Sequence, residues 1–228
     1  MRMYPNYRKA DIEEHISKIG FSPIDVMMIG ATGVGKSSTL NSFFDREETR
    51  VGTGVDPETM TIDHYSLTDK IRFWDTPGLG DGIQKDRDHA WKITQLLRKM
   101  HHGQYGFLDM AVVIAEAGSR DLGTTLHLIE HILDGNISPE RVLVVLNQAD
   151  FAMKGHHWDS VHQCPDPVLL EFLEEKALSL QRRIRDSTGL QICKPVYYSA
   201  TKHYNIERLY DMIIDHLPDE PRRMTDGN

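Results

Sequence analysis

Eight consecutive residues, Gly30-Ala-Thr-Gly-Val-Gly-Lys-Ser37, have the spacing G-x-x-x-x-G-K-[ST]. Glycines at these intervals let successive backbone N–H groups turn inward around an anion, and a helix starting at the lysine aims its positive end at the same point. The amides of Thr32, Gly33, Val34, Gly35, Lys36, Ser37 and Ser38 are therefore expected to hold phosphate oxygens, with the Lys36 ammonium as a point charge on the β- and γ-phosphates. The Ser37 hydroxyl is an oxygen ligand of the kind Mg²⁺ prefers. A Gly-rich turn with a chance lysine is the plain alternative. An apolar run before the loop and a helical pattern after it weigh against that alternative.

Asn147-Gln-Ala-Asp150 follows a second apolar run. A carboxylate at Asp150 can accept from both N1–H and the 2-amino group of guanine. Adenine offers neither donor, so it would leave a buried acceptor unpaired, at a cost large enough to discriminate. Ser199-Ala-Thr201 follows the last short apolar run and offers a backbone N–H to the guanine carbonyl. Asp75-Thr-Pro-Gly78 ends another such run; a plain turn is its bland explanation.

These residues need a scaffold that gathers strand ends. Short apolar runs alternate with helical patterns from Ile24 onward, the sign of βαβ units. Strands are expected at 25–29, 61–67, 70–75, 109–115, 141–146 and 196–198. Thr68-Asp69 is too short a link for a parallel crossover, so the second and third strands should pair antiparallel. Helices are expected at 37–44, around Ala90, Ile93 and Leu97, on the face Leu122, Leu126, Ile129 and Leu133, after the N-cap Asp166-Pro167 with Leu169, Leu173, Leu180 and Ile184 inward, and along Ile206, Leu209 and Ile213. The sum is an α/β, three-layer domain with a six-stranded, mostly parallel sheet, one antiparallel strand and helices on both faces. It should occupy residues 24–217, after an N-terminal helical extension (1–23, with Ile12, Ile16 and Ile19 on one face and Gly20 at its end) and before a tail (218–228).

With four motifs in this order, the chain resembles the five-motif P-loop GTPase (G) domain of the translation-factor-related class, in particular the Era-like and septin-like bacterial GTPases such as the YfjP/YeeP group. Gly30–Ser37, Asp75–Gly78, Asn147–Asp150 and Ser199–Thr201 resemble its first, third, fourth and fifth motifs. The resemblance implies GTP and GDP as ligands, Mg²⁺ as cofactor and hydrolysis of GTP to GDP and phosphate, with a GTP- or GDP-bound assembly module of negligible turnover as the alternative. Asp75 would hold Mg²⁺ through water and the Gly78 amide would sense the γ-phosphate. Residues 46–60 would form the first switch, whose threonine completes the Mg²⁺ shell; Thr59 is favoured by its place just before the second strand, with Thr53 and Thr61 as rivals. Catalysis would then rest on Lys36, Thr59 and Gly78, the metal on Ser37, Thr59 and Asp75, and the guanine on Asn147, Gln148, Asp150, Ser199, Ala200 and Thr201. A homodimer across the nucleotide face and a protein effector are further implications.

Several positions depart from that pattern. Leu79 stands where relatives carry a water-orienting glutamine, so intrinsic turnover should be slow. Thr32 would crowd an inserted arginine finger, and Gly33 replaces the asparagine of potassium-activated relatives. Gln148 replaces the lysine whose stem covers the base, removing a cation–π contribution.

The formal charge of −8, from 26 basic and 34 acidic residues, argues against a nucleic-acid backbone as the main partner. Two cysteines cannot form a disulfide framework, and no apolar stretch approaches the ~20 residues of a membrane span, so a cytoplasmic protein without an integral membrane segment is expected. His156, His157, His162 and Cys164 offer Zn²⁺ ligand types without a closed four-ligand spacing; a polar surface insertion is the simpler expectation. His127 and His131 are expected on the surface of their helix, and Arg182, Arg183 and Arg185 in solvent near a helix end. Cys193 beside Lys194 is expected to be an ordinary thiol.

Overall fold

In the sequence between Ile24 and Gly30 every residue is buried, as a strand covered on both faces requires. It is the centre of the sheet in the computed structural model, which describes residues 7–43, 63–66, 69–80, 83–101, 104–120, 122–134 and 137–223. In chain order the elements are α1 (Lys9–Ile19), β1 (Ile24–Gly30), α2 (Lys36–Phe43), β2 (Asp63–Ser66), β3 (Ile71–Asp75), α3 (Ile83–Arg98), β4 (Met100–His101), β5 (Tyr105–Gly106), β6 (Met110–Glu116), α4 (Gly123–Asp134), β7 (Val142–Asn147), β8 (Trp158–Asp159), β9 (Cys164–Pro165), α5 (Pro167–Thr188) and α6 (Ile206–Asp215). The main sheet has the order β2-β3-β1-β6-β7, all parallel except β2, which pairs antiparallel with β3 from Asp63 opposite Asp75 to Ser66 opposite Arg72.

Alternate residues of the central strands feed two cores. Met27, Ile29, Val113 and Val144 face α3, α4 and α5, where Ile93, Leu97, Leu128, Ile129, Leu173 and Leu180 close the layer. Val26, Met28, Val112 and Val145 face α2 and α6, where Leu40, Phe43, Leu209 and Ile213 pack. The α1 helix joins this second core through Ile12 and Ile19, and Gly20 ends it in a left-handed conformation. Arg8 pairs with Asp211 and Asp215 of α6, and Lys18 with Asp219.

The α/β three-layer architecture is therefore as expected, with one difference in the sheet. Residues 196–198 form no sixth strand. They touch β7 at one parallel bridge, Leu146 with Tyr197, made by Leu146 N–H to Val196 O (2.9 Å) and Tyr198 N–H to Leu146 O (2.8 Å). Immediately after this bridge Ser199 turns to pair with Tyr204, each donating its N–H to the other's carbonyl. The expected face of α4 is turned to the first core: Ile129 is buried in it, Leu126 is half-buried against it, and Leu122 is buried just before the helix. Thr125, Leu128 and Ile132 widen the buried face, and the Leu133 side chain lies outside the described residues. His127 is exposed, whereas His131 is half-buried, its Nε2 2.8 Å from Thr94 Oγ1. The N-cap Asp166 accepts from the amides of Val168 and Leu169, and all four expected apolar residues of α5 are buried.

At the N-terminal edge of the sheet the buried Asp25 carboxylate receives Arg72 (2.6 and 2.8 Å) and Trp74 Nε1 (2.6 Å). Its neighbour Asp109 accepts the Asp25 amide at 2.9 Å. Burial pushes the Asp109 carboxyl up to about 7, with the charge of Asp25 acting the same way; the Asp25 amide and the guanidinium groups of Arg141 and Arg222 pull it down. A carboxyl that holds its proton more tightly in the folded chain contributes stability below its unfolded value of 3.8 and loses it as pH rises through about 7. Urea midpoints of the parent chain should therefore fall, relative to those of Asp109→Asn, between about pH 4 and about pH 8. Parallel curves across that window would show that Asp109 titrates as an ordinary carboxyl.

Candidate functional site

Because β3, β1, β6 and β7 run parallel, their C-terminal ends share one edge, where α/β sheets open a crevice between loops. The loop after β1 begins at Ala31, which forms an isolated bridge with Leu79, and Thr32 N–H donates to Leu79 O (2.8 Å). The phosphate-type loop and the segment after β3 are thereby one unit. A Cβ on Gly78 would lie 2.6 Å from Thr32 Oγ1 and 2.7 Å from its backbone, so only glycine fits there. Gly35 has φ +88°, and a Cβ on it would lie 2.4 Å from Asn147 Nδ2.

Lys36 opens α2 with its side chain buried, and its Nζ donates to the carbonyls of Gly30 (3.1 Å) and Ala31 (3.2 Å). The ammonium is thus held over the loop rather than extended into solvent. Ser37 Oγ donates to Asp75 Oδ2 at 2.6 Å. A hydroxyl from the first turn of α2 and a carboxylate from the end of β3 are the oxygen donors a hard divalent cation takes, so the residues present fit Mg²⁺. Thr59, its rivals Thr53 and Thr61, and the whole 46–60 segment lie outside the described residues.

Asn147 ends β7 and is nearly fully buried. Its Nδ2 donates to Val34 O (2.8 Å), and its Oδ1 accepts Ala200 N–H (3.1 Å). Gln148, in a left-handed conformation at φ 62°, donates from Nε2 to Gly33 O (2.7 Å). One dipeptide therefore joins the phosphate-type loop to the 199–201 loop. Asp150 sits half-buried in the 3-10 turn Ala149–Phe151, and its carboxylate accepts no hydrogen bond from any described residue. Of the three amides at 199–201, Ser199 bonds Tyr204 O and Ala200 bonds Asn147 Oδ1, whereas Thr201 N–H donates to no described residue. Ser199 Oγ closes the turn by accepting Lys202 N–H (3.2 Å) and lying 3.3 Å from Thr201 Oγ1.

The histidine-rich insertion after Asp150 includes the hairpin β8–β9, whose strands are half-buried with Trp158 packed against the core, while residues 160–162 between them are exposed. His162 Nδ1 lies 2.6 Å from Asp159 Oδ2, and His157 Nδ1 2.8 Å from Asp166 Oδ2, so two of the candidate ligands face carboxylates. Among the described residues no three His, Cys, Asp or Glu side chains converge on one point. Arg182, Arg183 and Arg185 are exposed, and burial pushes the Cys193 thiol up, away from reactivity. No helix among the described residues is long and apolar enough to cross a membrane.

The fold and this set of loops define the chain as a P-loop GTPase domain. Residues 25–148 match the 50S ribosome-binding GTPase family, and the chain belongs to it. Over 203 residues, 87% of this chain and 84% of the relative, it is 27% identical to the probable GTP-binding protein EngB of Protochlamydia amoebophila. Over 107 residues it is 34% identical to Cell division control protein 10 of Saccharomyces cerevisiae, covering 41% of this chain and about a third (32%) of the yeast protein. Among solved structures, that of the chloroplast translocon components atToc33 and psToc159 superimposes with a TM-score of 0.62 at 17% identity, covering 95% of this chain and 94% of the other, a likeness of fold.

Replacing Asn147 by alanine would strand Val34 O and Ala200 N–H inside the protein. The Asn147→Ala chain should lose on the order of 2–3 kcal/mol of unfolding free energy in urea without nucleotide. A loss within about 0.5 kcal/mol would mean that the two loops find other partners.

Proposed function

We propose that this chain binds GTP and GDP and hydrolyses GTP to GDP and phosphate as a nucleotide-dependent switch, slowly when alone. The observation that carries the guanine assignment is the half-buried Asp150 carboxylate, without a described partner, beside loops that Asn147 and Gln148 tie to the phosphate side. A base seated there satisfies that acceptor only if it offers two donors in line, as guanine does. On the phosphate side the amides of residues 32–38 cradle the oxygens, and the Lys36 ammonium, already fixed by Gly30 and Ala31, stabilises negative charge that builds on the transferred group. Ser37, Asp75 and Thr59 are the residues proposed to hold Mg²⁺, which supplies charge neutralisation between the β- and γ-phosphates when bound. The Gly78 amide is proposed to sense the γ-phosphate, and its contact with Thr32 makes loss of that phosphate felt in both loops.

One observation favours a second reading, a septin-like GTP- or GDP-bound assembly module with negligible hydrolysis. Leu79 is 6% exposed and packed in the core, so its side chain orients no water. The solved translocon components are described as proteins for whose GTPase activity dimerization is important. A homodimer across the nucleotide face, or a protein effector, would supply here what Leu79 does not. Membership of the Era-like or YfjP/YeeP group and a cytoplasmic location are proposed with the same reading.

Exchanging the acceptor tests the base assignment. In Asp150→Asn the new amide donates where the carboxylate accepted, so GTP affinity should fall by about a hundredfold or more while xanthosine triphosphate, with a carbonyl at position 2, gains. Titration calorimetry of both nucleotides decides the matter, and unchanged GTP affinity defeats the assignment. Phosphate release under single turnover separates the two readings, a rate no faster than that of free GTP favouring the assembly module.

A further inference from the structure

Residues 78–80 offer no side chain that can order a water molecule: Gly78 and Gly80 have none, and Leu79 is in the core. Their backbone is nevertheless held at three consecutive residues. Leu79 O accepts Thr32 N–H (2.8 Å), Gly80 N–H donates to Asp86 Oδ1 (2.8 Å), and Gly78 O lies 2.6 Å from His89 Nδ1. A carbonyl can only accept, so Nδ1 carries the proton in this contact. Asp86 and His89 are three residues apart on α3 and share one face of it. They form a two-point clamp on the segment that lies against the phosphate-type loop.

The clamp answers a physical need. Gly78 must be glycine because any Cβ would collide with Thr32, yet glycine leaves its own dihedrals the least restricted of all residues. An unrestrained glycine at the γ-phosphate end would have to be ordered anew each time triphosphate bound. A donor on its carbonyl removes that freedom beforehand, and pre-organisation of this kind acts most strongly where charge develops.

We propose that His89 is a positioning residue for the γ-phosphate end of the site, acting through the Gly78 carbonyl, with Asp86 holding the next amide but one. The proposal rests on the GTPase reading above. It implies that α3 and the γ-phosphate segment move together, so that a partner gripping α3 reaches the reaction through His89.

The test uses the full chain and three variants, with two readouts: single-turnover cleavage of GTP, and the affinity ratio of a non-hydrolysable GTP analogue to GDP. Asparagine places its amide nitrogen where imidazole has Nδ1, whereas glutamine reaches the place of Nε2. His89→Ala and His89→Gln should each lower both readouts about tenfold, the loss of one well-placed hydrogen bond. His89→Asn should stay within about threefold of the parent, and GDP affinity should be unchanged throughout, which excludes a folding defect. Rescue by glutamine and not asparagine would overturn the proposal in favour of Nε2 acting on the reacting atoms. Unchanged values in His89→Ala would overturn it outright. If the parent binds nucleotide without cleaving it, the affinity ratio alone decides. If the parent binds neither GTP nor GDP, the GTPase reading itself fails and the clamp with it; nucleotide binding with indifferent variants removes only the clamp.

Discussion

One buried amide joins the two sides of the crevice. Asn147 reaches the Val34 carbonyl with its nitrogen and the Ala200 amide with its oxygen, so a single planar group satisfies two loops that are far apart in sequence. A carboxamide is the only short side chain that both donates and accepts at fixed separation, which aspartate and leucine of the same shape do not. Gly35 owes its identity to the same group, because a Cβ there would displace the Asn147 nitrogen. Gln148 repeats the link one carbonyl earlier, on Gly33. Anything that moves the phosphate side must therefore move the loops that Asn147 joins to it or break its two buried hydrogen bonds, whereas the Gln148 link is exposed and water can replace it.

The opposite edge of the sheet follows a different logic. There the charged groups are structural, with Asp25 satisfied by Arg72 and Trp74, and Arg141 and Arg222 bonded to backbone carbonyls of other elements. Arg222 reaches Leu97 O from the C-terminal segment, and the Arg222 carbonyl accepts Gly106 N–H, so the end of the described chain is fastened beneath β5. A parallel sheet puts all its C-terminal strand ends on one side, and this arrangement leaves that side open while closing the other with charge pairs and chain ends. Rigidity at one edge and loops at the other are two consequences of the same topology.

What the sequence made legible was local. The strand–loop–helix around Gly30–Ser37 announces itself because glycine spacing, an apolar run and a helical period all fall within some twenty residues. The Asp166-Pro167 cap and the antiparallel β2–β3 pair were readable for the same reason, each depending on neighbours in the chain. The two small hairpins were not, since strands of two residues carry no alternation to detect. The face of α4 was readable through Leu122, Leu126 and Ile129 but came out too narrow, because Leu128 and Ile132 are buried in the same core beside it. The missing sixth strand was not readable because the run 196–198 is so short, and the chain turns to the Ser199–Tyr204 pair as soon as it ends. The Asn147 contacts and the His89–Gly78 contact join residues that no periodicity relates, so the motif could be read while its wiring could not.

Leu79 connects these threads. Its side chain belongs to the core that α3 completes, its carbonyl to the phosphate-type loop, and its flanking residues to His89 and Asp86. A glutamine at this position would bury a polar amide or leave a gap in that core; leucine fills the core and offers no amide. The chain thus anchors the segment after β3 by burial. An element anchored in the core responds to its ligand only by carrying its packed neighbours along, because close-packed side chains shift as a body or not at all. Since α3 is that neighbour, and Trp91 on it is about half exposed, a shift of the 78–80 segment carried through α3 would reach a face open to solvent.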